Sequence, residues 1–341
     1  MDNRTATFWN TSALVLFSIK PNNDAALNWT AACPPITPSE LIATQVPTII
    51  TGTIVTSTQL FNLLIFALWR NKEPYILLHV SLAVASLVGG ISVFVSVPLR
   101  YITLTAGNLF LTKLLCVALV SYASFASHLA NVAISLDRWL SVEFAIRYRT
   151  AITSRKVAIV GVVGVFGGAL LVNGPGILVF WQFITVDPCT RRKNMEGTGT
   201  DWVVWDTTQE ILFLPILFAS QLRILWIALS LKLQQLRRRN RNLRVSVAPL
   251  QGRVENHLPS RLVWGSLLGS MAIVCITLLA NVPSVSLNYV PVTPVSRSLR
   301  RPMAYLTYIQ HCSSLLIYML FWPDYRNTLL RFFRRLRAFL G

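Results

Sequence analysis

The chain has 341 residues, of which 53% are hydrophobic and only 13% are charged. With a mean hydropathy of +0.54, it is too apolar for an ordinary soluble globular protein. Its formal net charge is +18, but the basic residues stand between long apolar runs instead of forming one continuous basic region. This placement argues against a nucleic-acid partner.

Seven apolar stretches divide the chain, and each is long enough to span a bilayer as a helix, which takes about 20 residues. The fifth and seventh are the least apolar, because amide or charged side chains interrupt them. The pattern predicts an all-α integral membrane protein, a seven-transmembrane helix bundle that forms one domain over residues 41–323. The stretches cover residues 41–69, 75–99, 109–136, 157–181, 203–231, 262–290 and 303–322.

Residues 1–40 are predicted to be an extracellular, glycosylated tail. Asn3, Asn10 and Asn28 each begin an Asn-x-Ser/Thr sequon, the acceptor for glycosylation outside the cell. The connecting segments on the opposite side of the bilayer hold about twice as many Lys and Arg residues as those on the side of the tail, so the positive-inside rule also places the amino terminus outside. We therefore expect a multi-pass protein of the cell membrane.

Residues 324–341 are predicted to form a short amphipathic helix. Apolar side chains such as Leu329, Phe332 and Leu336 recur at three- and four-residue steps, and arginines stand between them. A basic amphipathic helix of this kind lies in the membrane interface. Its arginines, like those of the other inner segments, suit anionic lipids of the inner leaflet.

The third apolar stretch ends in the segment Ser135-Leu136-Asp137-Arg138-Trp139-Leu140-Ser141-Val142, and Ile146-Arg147-Tyr148 follow closely. An arginine at the end of a membrane helix keeps its charge, so it pairs with a neighbour, extends toward water or receives a partner protein. This segment closely resembles the third-helix signature of rhodopsin-like (class A) G-protein-coupled receptors. In that family a Tyr usually stands where this chain has Trp139, and a Pro where it has Ala145.

The resemblance implies a receptor that transmits an extracellular signal to a heterotrimeric G protein. Arg138 would pair with Asp137 at rest and meet the G protein once the sixth helix moves outward. The resemblance also implies a disulfide between Cys116 and Cys189, although Cys116 lies deeper in the helix than is usual in the family. The residues assigned to G-protein coupling are Asp137, Arg138, Trp139, Ile146, Arg147, Tyr148, Arg223 and Tyr318.

Several positions depart from the pattern of the family. Ser86 replaces the second-helix Asp, Asn281 the sixth-helix Trp, and Ser314 the Asn of the seventh-helix Asn-Pro pair. Asn131 stands where an apolar residue normally seals the inner bundle. Two hypotheses stay open: a loosely held resting state with high basal activity, or degraded switches with poor coupling. Arg223, in place of a Tyr, either extends toward the inner headgroups or acts as a polar latch near Arg138.

The candidate ligand pocket lies between the outer halves of the helices. The third helix offers no acid there, which argues against a ligand that needs an ion pair for an ammonium group. Basic residues of the outer loops favour an acidic peptide or an anionic lipid. The pocket residues are Val120, Ser121, Ser124, His128, Asn281, Tyr305 and Tyr308.

The sequence offers little basis for catalysis. No His/Cys/Asp cluster has the spacing of metal ligands, no nucleophile has a base near it in sequence, and without a carboxylate the second helix cannot hold a hard cation. We expect no enzymatic activity, no metal and no cofactor. The alternative to a receptor is a non-signalling seven-helix scaffold, decoy or modulatory subunit.

Overall fold

The structure is a computed structural model that describes residues 38–69, 73–99, 106–186, 193–194, 201–245, 258–290 and 294–340. Nearly all of these residues are helical. The first helices are α1 (Pro38–Leu68), α2 (Ile76–Leu99), α3 (Ala106–Lys113), α4 (Val120–Glu143), α5 (Ala145–Ala151), α6 (Ser154–Ile159) and α7 (Gly168–Phe180). The later ones are α8 (Asp201–Val245), α9 (Leu258–Tyr289), α10 (Pro294–Thr307), α11 (Ile309–Phe321) and α12 (Pro323–Leu340). Asn3, Asn10, Asn28 and Cys189 lie outside the described residues.

Two short strands and two π-helical segments complete the described secondary structure. Leu114–Leu119 joins α3 to α4 in π-helical geometry, and Val160–Gly167 joins α6 to α7 in the same way. Each pair of helices therefore continues as one rod. The strands β1 (Thr185–Val186) and β2 (Lys193–Asn194) pair antiparallel, a small exception to the predicted all-α composition.

Five helical segments of the described chain are long and apolar enough to cross a membrane. They coincide with the first four and the sixth of the predicted apolar stretches, which confirms the prediction of several apolar helices. The segments are Gln45–Leu68, Ile76–Leu99, Gly107–Glu143, Ser154–Phe180 and Gly265–Leu287.

The fifth and seventh predicted stretches differ from the other five. In α8 the apolar segment is the shorter Ile211–Ile227. The stretch 303–322, expected to be one helix, is divided at Tyr308 between α10 and α11. There the main-chain amides bond to the carbonyl three residues earlier instead of four, which is the pattern of a short 3₁₀ turn. The bonds run from the Tyr308 amide to the Tyr305 carbonyl (3.1 Å) and from the His311 amide to the Tyr308 carbonyl (3.0 Å).

The bundle is apolar outside and partly polar inside. Leu171 and Leu279 are 77% and 73% exposed, whereas Gln59, Asn62 and Ser127 are buried. In a soluble protein such large aliphatic side chains would mostly be buried. The distribution is compatible with a multi-pass membrane protein, because lipid covers the apolar outer faces while the polar side chains find partners inside.

Helix α4 occupies the centre of the bundle, where it packs against α2, α7, α8 and α9, and α1 packs against α2 and α11. Glycine permits a close approach of α9 to α11. A Cβ atom at Gly265 would lie 2.5 Å from the main-chain carbonyl oxygen of Phe321. The end of α4 that carries Arg138 therefore lies in a tightly packed part of the bundle, which we call the Arg138 end.

Helix α12 begins directly after α11, over the stretch for which the amphipathic helix is predicted, and it packs against α1 and α11. Arg326 donates to the carbonyls of Met319 (3.1 Å) and Leu320 (2.8 Å), which satisfies acceptors left open at the carboxyl end of α11. Tyr325 is fully buried. These contacts hold α12 against the Arg138 end.

Candidate functional site

Arg138 is buried and has three different partners. Its side chain donates to Asp137 Oδ2, at 2.5 Å from Nη2 and 3.0 Å from Nε. Nη1 donates to Ser266 Oγ on α9 at 3.2 Å, and the guanidinium carbon lies 3.9 Å from the ring centre of Tyr75. The charge is therefore neutralised within its own helix, while a hydroxyl and an aromatic ring hold it from neighbouring elements.

Asp137 has a second partner in the short helix α5. The Tyr148 hydroxyl donates to Asp137 Oδ1, and burial together with the adjacent carboxylate raises the pKa of Tyr148, so the hydroxyl stays protonated. Ile146 and Arg147 on the same helix are exposed, Ile146 by 84%. Helix α5 thus combines one residue that braces Asp137 with two that form open surface beside it.

Trp139 and Arg223 meet at a third side chain, Glu143. The Trp139 indole donates to Glu143 Oε2, and Arg223 Nη2 lies 2.7 Å from Glu143 Oε1. The side chain of Arg223 is about half exposed. Arg223 thus pairs with Glu143 and not with Arg138, and its extension toward the inner headgroups stays a prediction.

Tyr318 is buried in a cluster of rings at the Arg138 end. Its hydroxyl lies 3.0 Å from Nδ1 of His79, and its ring centre lies 4.7 Å from that of Trp322 and 5.3 Å from that of Phe66. Tyr75, which stacks on Arg138, also contacts Trp322 edge to face. Tyr318 therefore supports the Arg138 site from behind and does not form part of its surface in this conformation.

A chain of buried polar side chains continues from this cluster into the bundle. The Tyr325 hydroxyl donates to Asn62 Oδ1 at 2.9 Å, and Asn62 Nδ2 donates to Ser314 Oγ at 3.0 Å. Gln59 Nε2 also donates to Ser314 Oγ, at 3.2 Å. Ser314 thus serves as the shared acceptor that links α1 to α11.

A small cavity lies near the middle of the bundle, between α2, α4, α10 and α11. It has a volume of about 70 Å³ and is lined by Ser86, Val120, Ser124, Tyr308 and His311, among others. Ser86 Oγ is bonded to His311 Nδ1 at 2.8 Å. Pockets for organic ligands usually measure about 300–1,000 Å³, so this cavity has room for a few water molecules only.

Only some of the predicted ligand-pocket residues line this cavity. Val120, Ser124 and Tyr308 line the cavity, whereas three of the other four form hydrogen bonds elsewhere. Ser121 is bonded to Asn173 at 3.2 Å, Asn281 donates to Gln310 at 2.8 Å, and the hydroxyl of Tyr305 lies 3.5 Å from that of Thr48.

His128 is buried, and its Nε2 atom has no hydrogen-bond partner among the described residues. Cys116 is half-buried, and its disulfide to Cys189 stays a prediction.

Asn131 connects α4 to α9 at mid-depth. Its Nδ2 atom donates to Thr277 Oγ1 at 3.2 Å, and both side chains are buried. At the position where the family resemblance implies an apolar residue, the chain therefore has a neutral hydrogen bond between α4 and α9.

Sequence reasoning missed Tyr75, Ser266 and Glu143. For Glu143 there was a usable signal, since it lies four residues after Trp139 on the same helix. Ser266 had none, because only the packing of α9 against α4 brings it to Arg138. For Tyr75 no local pattern exists, because only the packing of α2 against α4 brings it to Arg138.

Comparison with known proteins adds no relationship: no protein-family model and no curated protein matches the chain. Within the ranges that the structure describes, no three His, Cys, Asp or Glu side chains are grouped as a metal site would require.

Proposed function

We propose that the chain is a rhodopsin-like G-protein-coupled receptor of the plasma membrane, with seven spanning helices and an extracellular amino terminus, and without enzymatic activity. The observation that carries the proposal is the burial of Arg138 in an ion pair with Asp137. A permanently charged side chain is buried where α4 meets α5 and α9, and only an ion pair within its own helix neutralises it. Burying a charge is costly unless the charge is paired and hydrogen-bonded, and an ionisable residue inside a membrane bundle usually marks a functional site.

The contacts of Arg138 describe a resting state that separation of the helices can release. The ion pair with Asp137 lies within α4 and survives any movement of α9. The bond to Ser266 is lost when α9 moves away, and the guanidinium then becomes available to a partner. Exposed Ile146 and Arg147 extend the surface that such a partner would meet. We propose a heterotrimeric G protein as that partner.

The bond from Arg138 to α9 ends on a neutral hydroxyl, and this supports high basal activity over degraded coupling. A hydrogen bond to a charged group contributes about 1.5–3 kcal/mol, less than removing one partner of a buried ion pair costs. The cavity inside the bundle fits the same account, since its volume of about 70 Å³ is smaller than that of a typical site for an organic ligand. An acidic peptide or an anionic lipid remains the proposed ligand class, with binding at the outer ends of the helices.

The alternative is a non-signalling seven-helix scaffold, decoy or modulatory subunit. It is favoured by the burial and the hydrogen bonds of Arg138, which a purely structural role would also produce. A screen of basal coupling across G-protein classes in cells, comparing the wild type with Arg138→Ala at equal surface expression, separates the two. A receptor gives expression-dependent output that the variant loses, whereas a scaffold gives no output and keeps its partner binding in the variant.

A further inference from the structure

A groove runs between α1 and the carboxy-terminal helix α12, outside the bundle. Its volume is about 390 Å³, within the range of small-molecule sites and more than five times that of the cavity inside the bundle. The side chains that line it are Leu64, Leu68, Thr328, Arg331, Phe332, Arg335, Leu336 and Phe339. We call this feature the α1–α12 groove.

One wall of the α1–α12 groove is apolar and uncovered. Leu64 and Leu68 on α1 are 42% and 39% exposed, and Leu336 on α12 is 41% exposed. Phe332 is half-buried and packs against the core, so it closes the floor. An extended hydrocarbon chain is the chemistry that such a wall accommodates.

The other wall is cationic. Arg331 and Arg335 are four residues apart on one helix, so they lie on the same face one turn apart. Arg331 is held in place by bonds from Nε to the Asn327 carbonyl (3.2 Å) and from Nη2 to Thr328 Oγ1 (3.1 Å), which leaves other guanidinium donors unused. Arg335 has no ion pair or hydrogen bond to another described residue, and the only acid of α12 is Asp324 at its start. Two neighbouring guanidinium groups without a counter-charge suit a phosphate.

We propose that the α1–α12 groove binds one phospholipid with an anionic headgroup from the inner leaflet. Arg331 and Arg335 bind the headgroup, and one acyl chain lies along Leu64, Leu68 and Leu336. The site rests on the membrane orientation included in the proposed function but not on G-protein coupling. Lipid binding therefore fails or succeeds independently of signalling.

The test measures lipids retained by the full-length purified protein. The protein is exchanged into equimolar mixtures of phosphatidylcholine with phosphatidylserine or with phosphatidylinositol phosphate, and bound lipid is counted by native mass spectrometry. We expect retention of the anionic lipid over phosphatidylcholine in a ratio of one per chain. Replacing both groove arginines (R331Q with R335Q) lowers that preference by at least about 100-fold, because each direct hydrogen bond from an arginine to the phosphate contributes at least about a tenfold gain in affinity.

Two further variants make the test specific. Arg334→Gln with Arg337→Gln removes the same charge from the same helix but outside the groove, and its preference stays close to that of the wild type. Leu68→Trp fills the apolar wall and lowers retention although the charge is unchanged. Equal losses in the two double arginine variants would indicate diffuse electrostatic attraction and overturn the site. No preference for anionic lipid in the wild type would overturn it as well.

Discussion

Removal of the Ser266 hydroxyl breaks the hydrogen bond that ties Arg138 to α9. The bond from Arg138 Nη1 to Ser266 Oγ is 3.2 Å long, and a hydrogen bond to a charged group contributes about 1.5–3 kcal/mol. If the bond exists only at rest, Ser266→Ala shifts the equilibrium toward the open state by about 10- to 150-fold, since about 1.4 kcal/mol corresponds to a factor of ten. Basal activity then rises until the open state is fully populated.

The assay is nucleotide exchange on purified G protein, catalysed by the purified chain in lipid nanodiscs without ligand. Ser270→Ala is the matched control, because Ser270 is buried one turn further along α9 and its hydroxyl has no hydrogen-bond partner among the described residues. Ser266→Asp supplies an acid opposite Arg138 and lowers basal exchange. The reasoning is refuted if Ser266→Ala leaves exchange at the level of Ser270→Ala, or lowers it.

Three further substitutions test the surrounding contacts. Tyr75→Leu removes the ring stacked on Arg138 and raises basal exchange by up to about 30-fold, since a cation–π contact contributes about 0.5–2 kcal/mol. Tyr75→Phe is the control because it keeps the ring. Equal effects of the two substitutions would exclude a role of the ring in holding Arg138. Gly265→Ala lowers the free energy of unfolding by about 1–3 kcal/mol, because its Cβ would lie 2.5 Å from a main-chain oxygen of α11. Gly107→Ala is the control and leaves stability unchanged, because there is open space around the new methyl. A Gly265→Ala protein as stable as the wild type would contradict the packing described. Asn62→Ala leaves two buried hydroxyl partners without their amide and lowers thermal stability by about 1–3 kcal/mol, whereas an unchanged melting temperature would show that the polar chain carries no stability.

The apolar helices could be predicted from the sequence because each satisfies its main-chain hydrogen bonds internally and needs only length and hydropathy. The second predicted stretch, 75–99, thus differs from α2 (Ile76–Leu99) by a single residue. The division of the stretch 303–322 at Tyr308 could not be predicted. It depends on a local change in hydrogen-bond pattern that hydropathy does not register.

In the candidate site, too, contacts within one helix could be predicted from the sequence, whereas contacts between helices could not. The pair of Asp137 and Arg138 is visible in sequence because the two residues are adjacent on one helix. The contact of Arg223 with Glu143 joins positions 80 residues apart, and it exists only because α8 packs along α4. Contacts of this kind follow from the tertiary arrangement, so the roles expected for Arg223 did not include its partner.

The central claim is that Arg138 couples the helix bundle to a G protein. Its most direct test is basal nucleotide exchange by the purified wild-type chain and by Arg138→Ala across purified G proteins of each class. The account predicts that the wild type accelerates exchange on at least one class, and that Arg138→Ala abolishes this acceleration while the protein still unfolds cooperatively. Absence of exchange on every class, or wild-type exchange by folded Arg138→Ala, would contradict it.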